Sequence, residues 1–397
     1  MPRGGIEVAE YIQTLTTLGY DFRLNEAGDV LECNGRRLDN VTLSTVRARM
    51  RAEGYGSAQA IEDVIAMQAG LNRYHPIRNY LAMAGMGWDG EPYIAMLAHY
   101  FHDATDPHKL FSMWLRKWLI GAVAKATDGE HNQNAMLVMD GPQGIGKSYF
   151  AQWLCSPLPE YFIEGAIDPR EKDCKFRLAS GFVWEVSELG STTRYADVEA
   201  LKAFISCRVV RERKPYAKMD SIMPALASLI GTVNNDAGFL SDQTGNRRFL
   251  IATIDAIDWS YATDIDPNQV WGEAFAAYQR GEDWYPTAEE LKLSEANNDN
   301  FKIPDVIEGY IDRAFETDSN ALEWWTPSNE IVSTLQSMGY RGGSSRSIAM
   351  QVASTLKALG HTKKRQWQTL ENFGGNQRSV HGYVGVRPRQ LKEKKTT

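Results

Sequence analysis

Residues Gly141–Ser148, reading GPQGIGKS, combine three glycines, a lysine and a serine at a spacing that lets a backbone wrap around a phosphate group. Successive N–H groups converge on one anion only where the chain adopts conformations that side chains forbid, which is the use of the glycines. The lysine then reaches the β- and γ-phosphates, and the serine offers its hydroxyl to a magnesium ion. Gly141, Gln143, Gly144, Ile145, Gly146, Lys147, Ser148 and Tyr149 are therefore the candidate nucleotide contacts, with ATP and Mg2+ as the expected ligands.

Such a loop needs an acid near the end of a neighbouring strand to orient the metal and polarise the attacking water. GFVWEVSEL supplies two, Glu185 and Glu188. Glu188 is the preferred acid and metal-site residue, because Glu185 could instead face a subunit boundary. GTVNND places Asn234 where an amide can hold water or the γ-phosphate, and DQTGNRRF sets Arg247 and Arg248 side by side before a strand. An arginine supplied to a phosphoryl-transfer site is worth about 10³ to 10⁵ in rate. The sequence does not separate such a finger from a structural salt-bridge arginine. Between the acid and Asn234, LKAFISCRVVRERKPYAKMD carries Lys202, Arg211, Arg213, Lys214 and Lys218, and its VVRERK–Pro–Tyr pattern predicts a β-hairpin with a basic tip. Cations of this kind contact nucleic-acid phosphates, and Tyr216 is placed to stack on a base.

The elements that must position these groups follow from the hydrophobic pattern. Ala135–Asp140 is a short apolar run leading straight into the loop, as a buried parallel strand does, and 181–186, 226–233 and 247–254 read as companion strands. Strands separated by helical segments imply an α/β core over 135–287 with a parallel sheet. Ahead of it, 1–73 reads as a small mixed α+β domain with a hairpin through DFRLNEAGDVLECNG, and 74–134 as a helical region. In that region Leu110, Trp114, Trp118 and Ala122 keep the spacing of a core-facing helix. From 302 to 390, three helices followed by two strands suggest a winged-helix-like basic domain.

At 397 residues, with 43% hydrophobic and 23% charged residues, the chain suits two or three folded domains and is neither disordered nor fibrous. No apolar run reaches membrane length and the first residues lack a secretory signal, so a cytoplasmic protein is expected. The four cysteines form no CxxC, and the histidines of HYFHDATDPH lack a completing thiol or HExxH, so neither a zinc knuckle nor a disulfide framework is indicated. Residues 341–397 hold twelve Lys or Arg against Glu371 and Glu393, a net +10 in a chain whose total is −7, which leaves −17 on the rest. Lys363, Lys364 and Arg365 are the densest part of this tail, a candidate DNA contact.

The order NYL, WDGEPYI, LIGAV, GPQGIGKS, EKD, EVSEL, LKAFIS, KPY, GTVN and TGNRRF resembles the virulence-associated E family of phages and mobile elements, over roughly residues 74 to 285. The resemblance implies a superfamily 3-like AAA+ helicase, an ATP-driven motor that forms a ring, by family analogy a hexamer, on single-stranded or forked DNA during replication. It makes Lys147 and Ser148 the Walker A pair, Glu188 with Glu185 the Walker B acids, Asn234 sensor 1, and Arg247 or Arg248 the finger. A separate primase or polymerase is expected to supply priming. The alternative is an ATP-regulated, origin-binding initiator or regulator without strand separation, and a small-molecule kinase fits the basic hairpin poorly.

Overall fold

Five short, almost wholly apolar runs assemble into one parallel sheet: β1 (Met136–Asp140), β2 (Phe162–Glu164), β3 (Val183–Val186), β4 (Ser228–Val233) and β5 (Phe249–Thr253). In this computed structural model the described residues are 7–104, 106, 108–168, 171–187, 189, 201–213, 220–234, 240, 246–301, 306–369 and 377–389. The sheet order is β5–β1–β4–β3–β2, so the strand that feeds the glycine loop is central and β4 separates it from the acid-bearing β3. Every residue of β1, β3 and β4 is buried, as a parallel sheet covered on both faces requires.

Side-chain alternation sends Leu137 and Met139 to one face and Met136 and Val138 to the other, into two separate clusters. The first face packs on helices Leu110–Thr127, Lys147–Leu154 and Pro267–Gln279. Leu110, Trp114, Trp118 and Ala122 are all fully buried there, as their spacing predicts. The two indoles also find polar partners: Trp114 Nε1 donates to the Ile251 carbonyl at 3.2 Å and Trp118 Nε1 to the Leu229 carbonyl at 2.9 Å. Those bonds tie the long helix to β5 and β4. The opposite face takes helix Lys172–Ser180 and the hairpin formed by Val209–Glu212 and Ser221–Pro224, through Leu178, Val210 and Met223.

Three details depart from the sequence pattern. Strand β2 was invisible to it, because three residues at the sheet edge, none of them buried, are too few to show a period. The core also runs beyond 287: helix Ala288–Asn298, started by a Thr287–Glu290 capping box, guards the edge strand β5. Its Asn297 and Asn298 amides donate to the Ile251 and Phe249 carbonyls, and the first compact unit ends at Phe301. The N-terminal segment belongs to that same unit. Its sheet (Arg36–Arg37, Val30–Cys33, Phe22–Asn25, Arg73–Tyr74) meets the core at Asn25, whose amide donates to Glu32 at 2.8 Å and to the Tyr161 hydroxyl at 2.9 Å.

The second unit, 302–397, has its own core of Ile307, Ile311, Phe315, Ile331, Leu335, Ile348, Val352 and Leu356. Helices Val306–Ala314, Ser328–Ser337 and Ser345–Ala358 accompany an antiparallel sheet of Trp325–Pro327, Gln377–Val384 and Lys363–Thr369. Among the described residues no helix is long and apolar enough to cross a membrane.

Candidate functional site

Asp140, Glu185, Thr232 and Asn234 sit at the C-terminal ends of adjacent strands, where a parallel sheet opens between its connections, with Lys147 and Ser148 in the first turn of the helix that follows the loop. β1 ends in Asp140 and passes into the loop; the Gly141 amide donates to the Val233 carbonyl at 3.3 Å and the Ile254 amide to the Asp140 carbonyl at 2.7 Å. These bonds lock the loop's entry between β4 and β5. Gly141 is required by contact as well as by conformation, since a Cβ there would meet the Ile254 carbonyl oxygen at 2.1 Å. Gly144 and Gly146 hold φ values of +82° and +107°, the left-handed region that lets the turn close before helix Lys147–Leu154 begins.

Lys147 is only 6% exposed. Its Nζ donates to the Gly141 carbonyl at 2.7 Å, the Pro142 carbonyl at 2.8 Å and Asn234 Oδ1 at 3.3 Å. Burial pushes its ammonium below the ordinary lysine range, and the nearby Asp140 partly opposes that. Asp140 is itself raised by burial, against a Thr253 hydroxyl at 3.4 Å and the charge of Lys147. The loop lysine is thus folded back on its own carbonyls, with Asn234, exposed at the end of β4, as its third partner.

Glu185 is fully buried near the end of β3. Ser148 Oγ donates to its Oε1 at 2.9 Å and Thr232 Oγ1, from β4, donates to the same oxygen at 3.1 Å. Burial raises its carboxyl above the usual range, the two hydroxyls pull it down, and Glu164 across the β2–β3 pair pushes it up. Its other oxygen, Oε2, is buried without a hydrogen-bond partner among the described residues. An orphan carboxylate oxygen beside a serine hydroxyl is a donor set that fits a hard divalent cation such as magnesium. Ser148 and Glu185 are the residues that would hold it, and it would neutralise charge on bound phosphate oxygens.

Of the two candidate acids, Glu185 is the one brought to Ser148 among the described residues. Glu188 lies outside the described residues. Thr232 escaped the sequence reading; its only signal is a lone hydroxyl in an otherwise apolar strand end.

The arginine pair also divides. Arg248 is half-buried and its Nε donates to Ser206 Oγ at 2.6 Å, whereas Arg247 is exposed and makes no hydrogen bond or ion pair among the described residues. The expected hairpin is present, with Ser221 opposite Glu212 and Pro224 opposite Val209. Arg211 and Arg213 are exposed on it, while Lys214, Tyr216 and Lys218 lie outside the described residues. Glu212 is engaged by Lys175 at 2.5 Å. Lys202, one of the expected DNA contacts, is 3% exposed and lies in the interior, not on the open surface of the hairpin. In the second unit Lys363, Lys364 and Arg365 are all exposed on the strand Lys363–Thr369. Arg365 donates to Ser379 on the partner strand, and the Lys363 ammonium lies 5.7 Å from the Tyr383 ring centre. Among the described residues no three His, Cys, Asp or Glu side chains are grouped to hold a metal by themselves.

A five-stranded parallel sheet with a glycine loop between a central strand and a helix defines a P-loop-like α/β core. Residues 83–303, more than half of the chain, match the family described as the virulence-associated protein E-like domain, and the chain belongs to that family. The match overlaps most of the stretch whose motifs carry the resemblance and extends it to the helix that guards β5. Among curated proteins none matches the sequence. Similar solved structures include an A-form apo structure of the NrS-1 C-terminal region, at 11% identity and a TM-score of 0.45, covering 94% of this chain and 98% of that one. A second apo structure of the same region (305–718) has 11% identity and a TM-score of 0.46, covering 97% and 100%.

Proposed function

We propose that this protein is an ATP-dependent DNA helicase, a ring-forming AAA+ motor of the superfamily 3 type that serves phage or mobile-element replication. The observation that carries the reading is the convergence of Ser148 and Thr232 on the buried carboxylate of Glu185, next to the Lys147–Asn234 contact at the loop. Those groups come from the loop and two neighbouring strands and have no shared structural purpose as strong as phosphate chemistry.

The assigned roles follow from position. Loop N–H groups and the helix N-terminus bind the phosphates; Lys147 exchanges its carbonyl partners for phosphate oxygens; Ser148 and Glu185 hold magnesium. Asn234 orients the attacking water. Glu185, supported by Glu188, polarises it. Arg247, exposed and without a hydrogen bond or ion pair among the described residues, serves as the finger toward a neighbouring subunit, and Arg248 holds the segment in place through Ser206. Arg211 and Arg213 on one hairpin and Lys363, Lys364 and Arg365 on the other, within a winged-helix-like domain, contact the DNA backbone.

Strand displacement from a forked duplex tests the proposal. Wild-type protein should separate the strands only with ATP, and Lys147→Ala should not. A ring that hydrolyses ATP yet separates no fork of either polarity would overturn it. One observation favours a second reading, an ATP-regulated initiator: residues 302–397 form a unit with its own core and a strongly basic exposed strand. Footprinting decides between the two, since an initiator protects one sequence and a motor binds forks or single strands without preference.

A further inference from the structure

Aromatic rings flank the phosphate loop where it enters its helix. Trp259, in the segment after β5, donates its indole Nε1 to the Ile145 carbonyl at 3.1 Å. Its six-membered ring lies so close to the loop that a Cβ on Gly146 would come within 2.7 Å of Cζ2. The last glycine of the motif is therefore needed by the tryptophan as well as by the turn. Tyr149, in the first turn of the helix, stacks on the same indole with ring centres 5.1 Å apart and planes 19° apart.

What distinguishes this pair is its exposure: 50% for Trp259 and 42% for Tyr149. Two residues further on, Tyr261 is 1% exposed and packs edge-on against Phe150 and Trp153 in the core. The fold thus had an aromatic core within reach, yet it fixes these two rings at the surface and orients one through a hydrogen bond to the loop itself. A triphosphate seated in the loop carries its sugar and base just outside the loop, where flat apolar faces gain most from a flat partner.

We infer that Tyr149 and Trp259 form a stacking shelf for the nucleobase of the triphosphate held by Gly141–Ser148, so that the site takes purine nucleotides well ahead of bare polyphosphate. The inference rests on the reading of Gly141–Ser148 as a phosphate site. Stacking favours the larger purine face without reading its edge, so ATP and GTP analogues should bind alike and a CTP analogue more weakly.

Titration calorimetry of the full chain with magnesium tests it, using a non-hydrolysable ATP analogue and inorganic tripolyphosphate as separate ligands. The wild-type chain should bind the ATP analogue about tenfold or more tighter than tripolyphosphate. Trp259→Ala and Tyr149→Ala should each erode most of that advantage, while Trp259→Phe should keep it. Trp259→Ala also removes the Ile145 hydrogen bond, so a fall in its tripolyphosphate affinity is expected from loop disturbance. The Tyr149 side chain makes no hydrogen bond to a loop carbonyl among the described residues, so Tyr149→Ala should lose far more affinity for the ATP analogue than for tripolyphosphate. If Tyr149→Ala keeps the full nucleotide preference, or loses only self-association because the rings pack against a second copy of the chain, the shelf is overturned while the phosphate site stands. If the wild-type chain binds neither ligand, the phosphate-site reading falls, and the shelf with it.

Discussion

Lys147 and Lys363 are the same residue type set in opposite surroundings. Lys147 is 6% exposed, holds three oxygen partners and is fixed between a strand and a helix, whereas Lys363 stands exposed on a strand with a ring face as its neighbour. A buried cation has one geometry and is costly to misplace, so it suits a site where a single phosphate must be met in one position. Exposed cations attract any polyanion, are screened by salt and contribute little individually. On the proposed reading, the buried loop site serves phosphate chemistry and the two basic hairpins serve contact with the DNA backbone.

That contrast can be broken at several points. Lys147→Ala should abolish ATP hydrolysis, a loss of about 10³ or more, and if turnover survives within tenfold the buried lysine is not a phosphate ligand. Arg247→Ala should cost about 10³ in hydrolysis while leaving assembly intact. Mixing it with Lys147→Ala subunits should restore part of the rate, and no recovery would remove the finger from between subunits.

Glu185→Gln should lower hydrolysis by about 10² and stabilise the fold. Burial raises the Glu185 carboxyl, so folding favours its protonated form: the contribution to stability is complete below the ordinary glutamate range and is lost as pH rises through the raised folded value. The glutamine variant should therefore melt a few degrees above wild type at pH 8, by roughly 2–4 °C per kcal/mol, with the gap closing toward the acidic side. A gap that stays constant from pH 5 to pH 8 would show that no buried charge is involved.

Removing Lys363, Lys364 and Arg365 together should shrink the slope of log affinity for DNA against log salt by about two to three while leaving DNA-free hydrolysis unchanged. A smaller effect is expected at Arg248→Ala, which loses the Ser206 bond and about 1 kcal/mol of stability, with little change in rate per folded subunit.

Much of the frame was legible in residue order. The apolar runs before the loop, at Val183–Val186, at Ser228–Val233 and at Phe249–Thr253, each became a strand of the predicted parallel sheet, because a strand buried on both faces must be apolar throughout. The spacing of Trp114 and Trp118 gave the core face of the long helix. Glycines at positive φ in the loop were implied by their type alone. The choice between neighbouring candidates was not legible. That Glu185 meets Ser148 and that Arg248 bonds Ser206 depends on which way a pleat or a short turn points, and a local pattern does not carry that direction.

What the sequence by itself determined is thus the chemistry available: a phosphate loop, acids, an amide, an arginine pair and basic hairpins, in an order that marks the family. Only the tertiary structure decided the partners. Ser148 meets Glu185 across 37 residues, Thr232 joins the same oxygen across 47, and Trp259 reaches Ile145 across 114. Such contacts exist because β4 inserts between β1 and β3 and because the chain leaving β5 folds back over the loop. Sheet order is set by the packing of both faces at once, and no single segment contains that information.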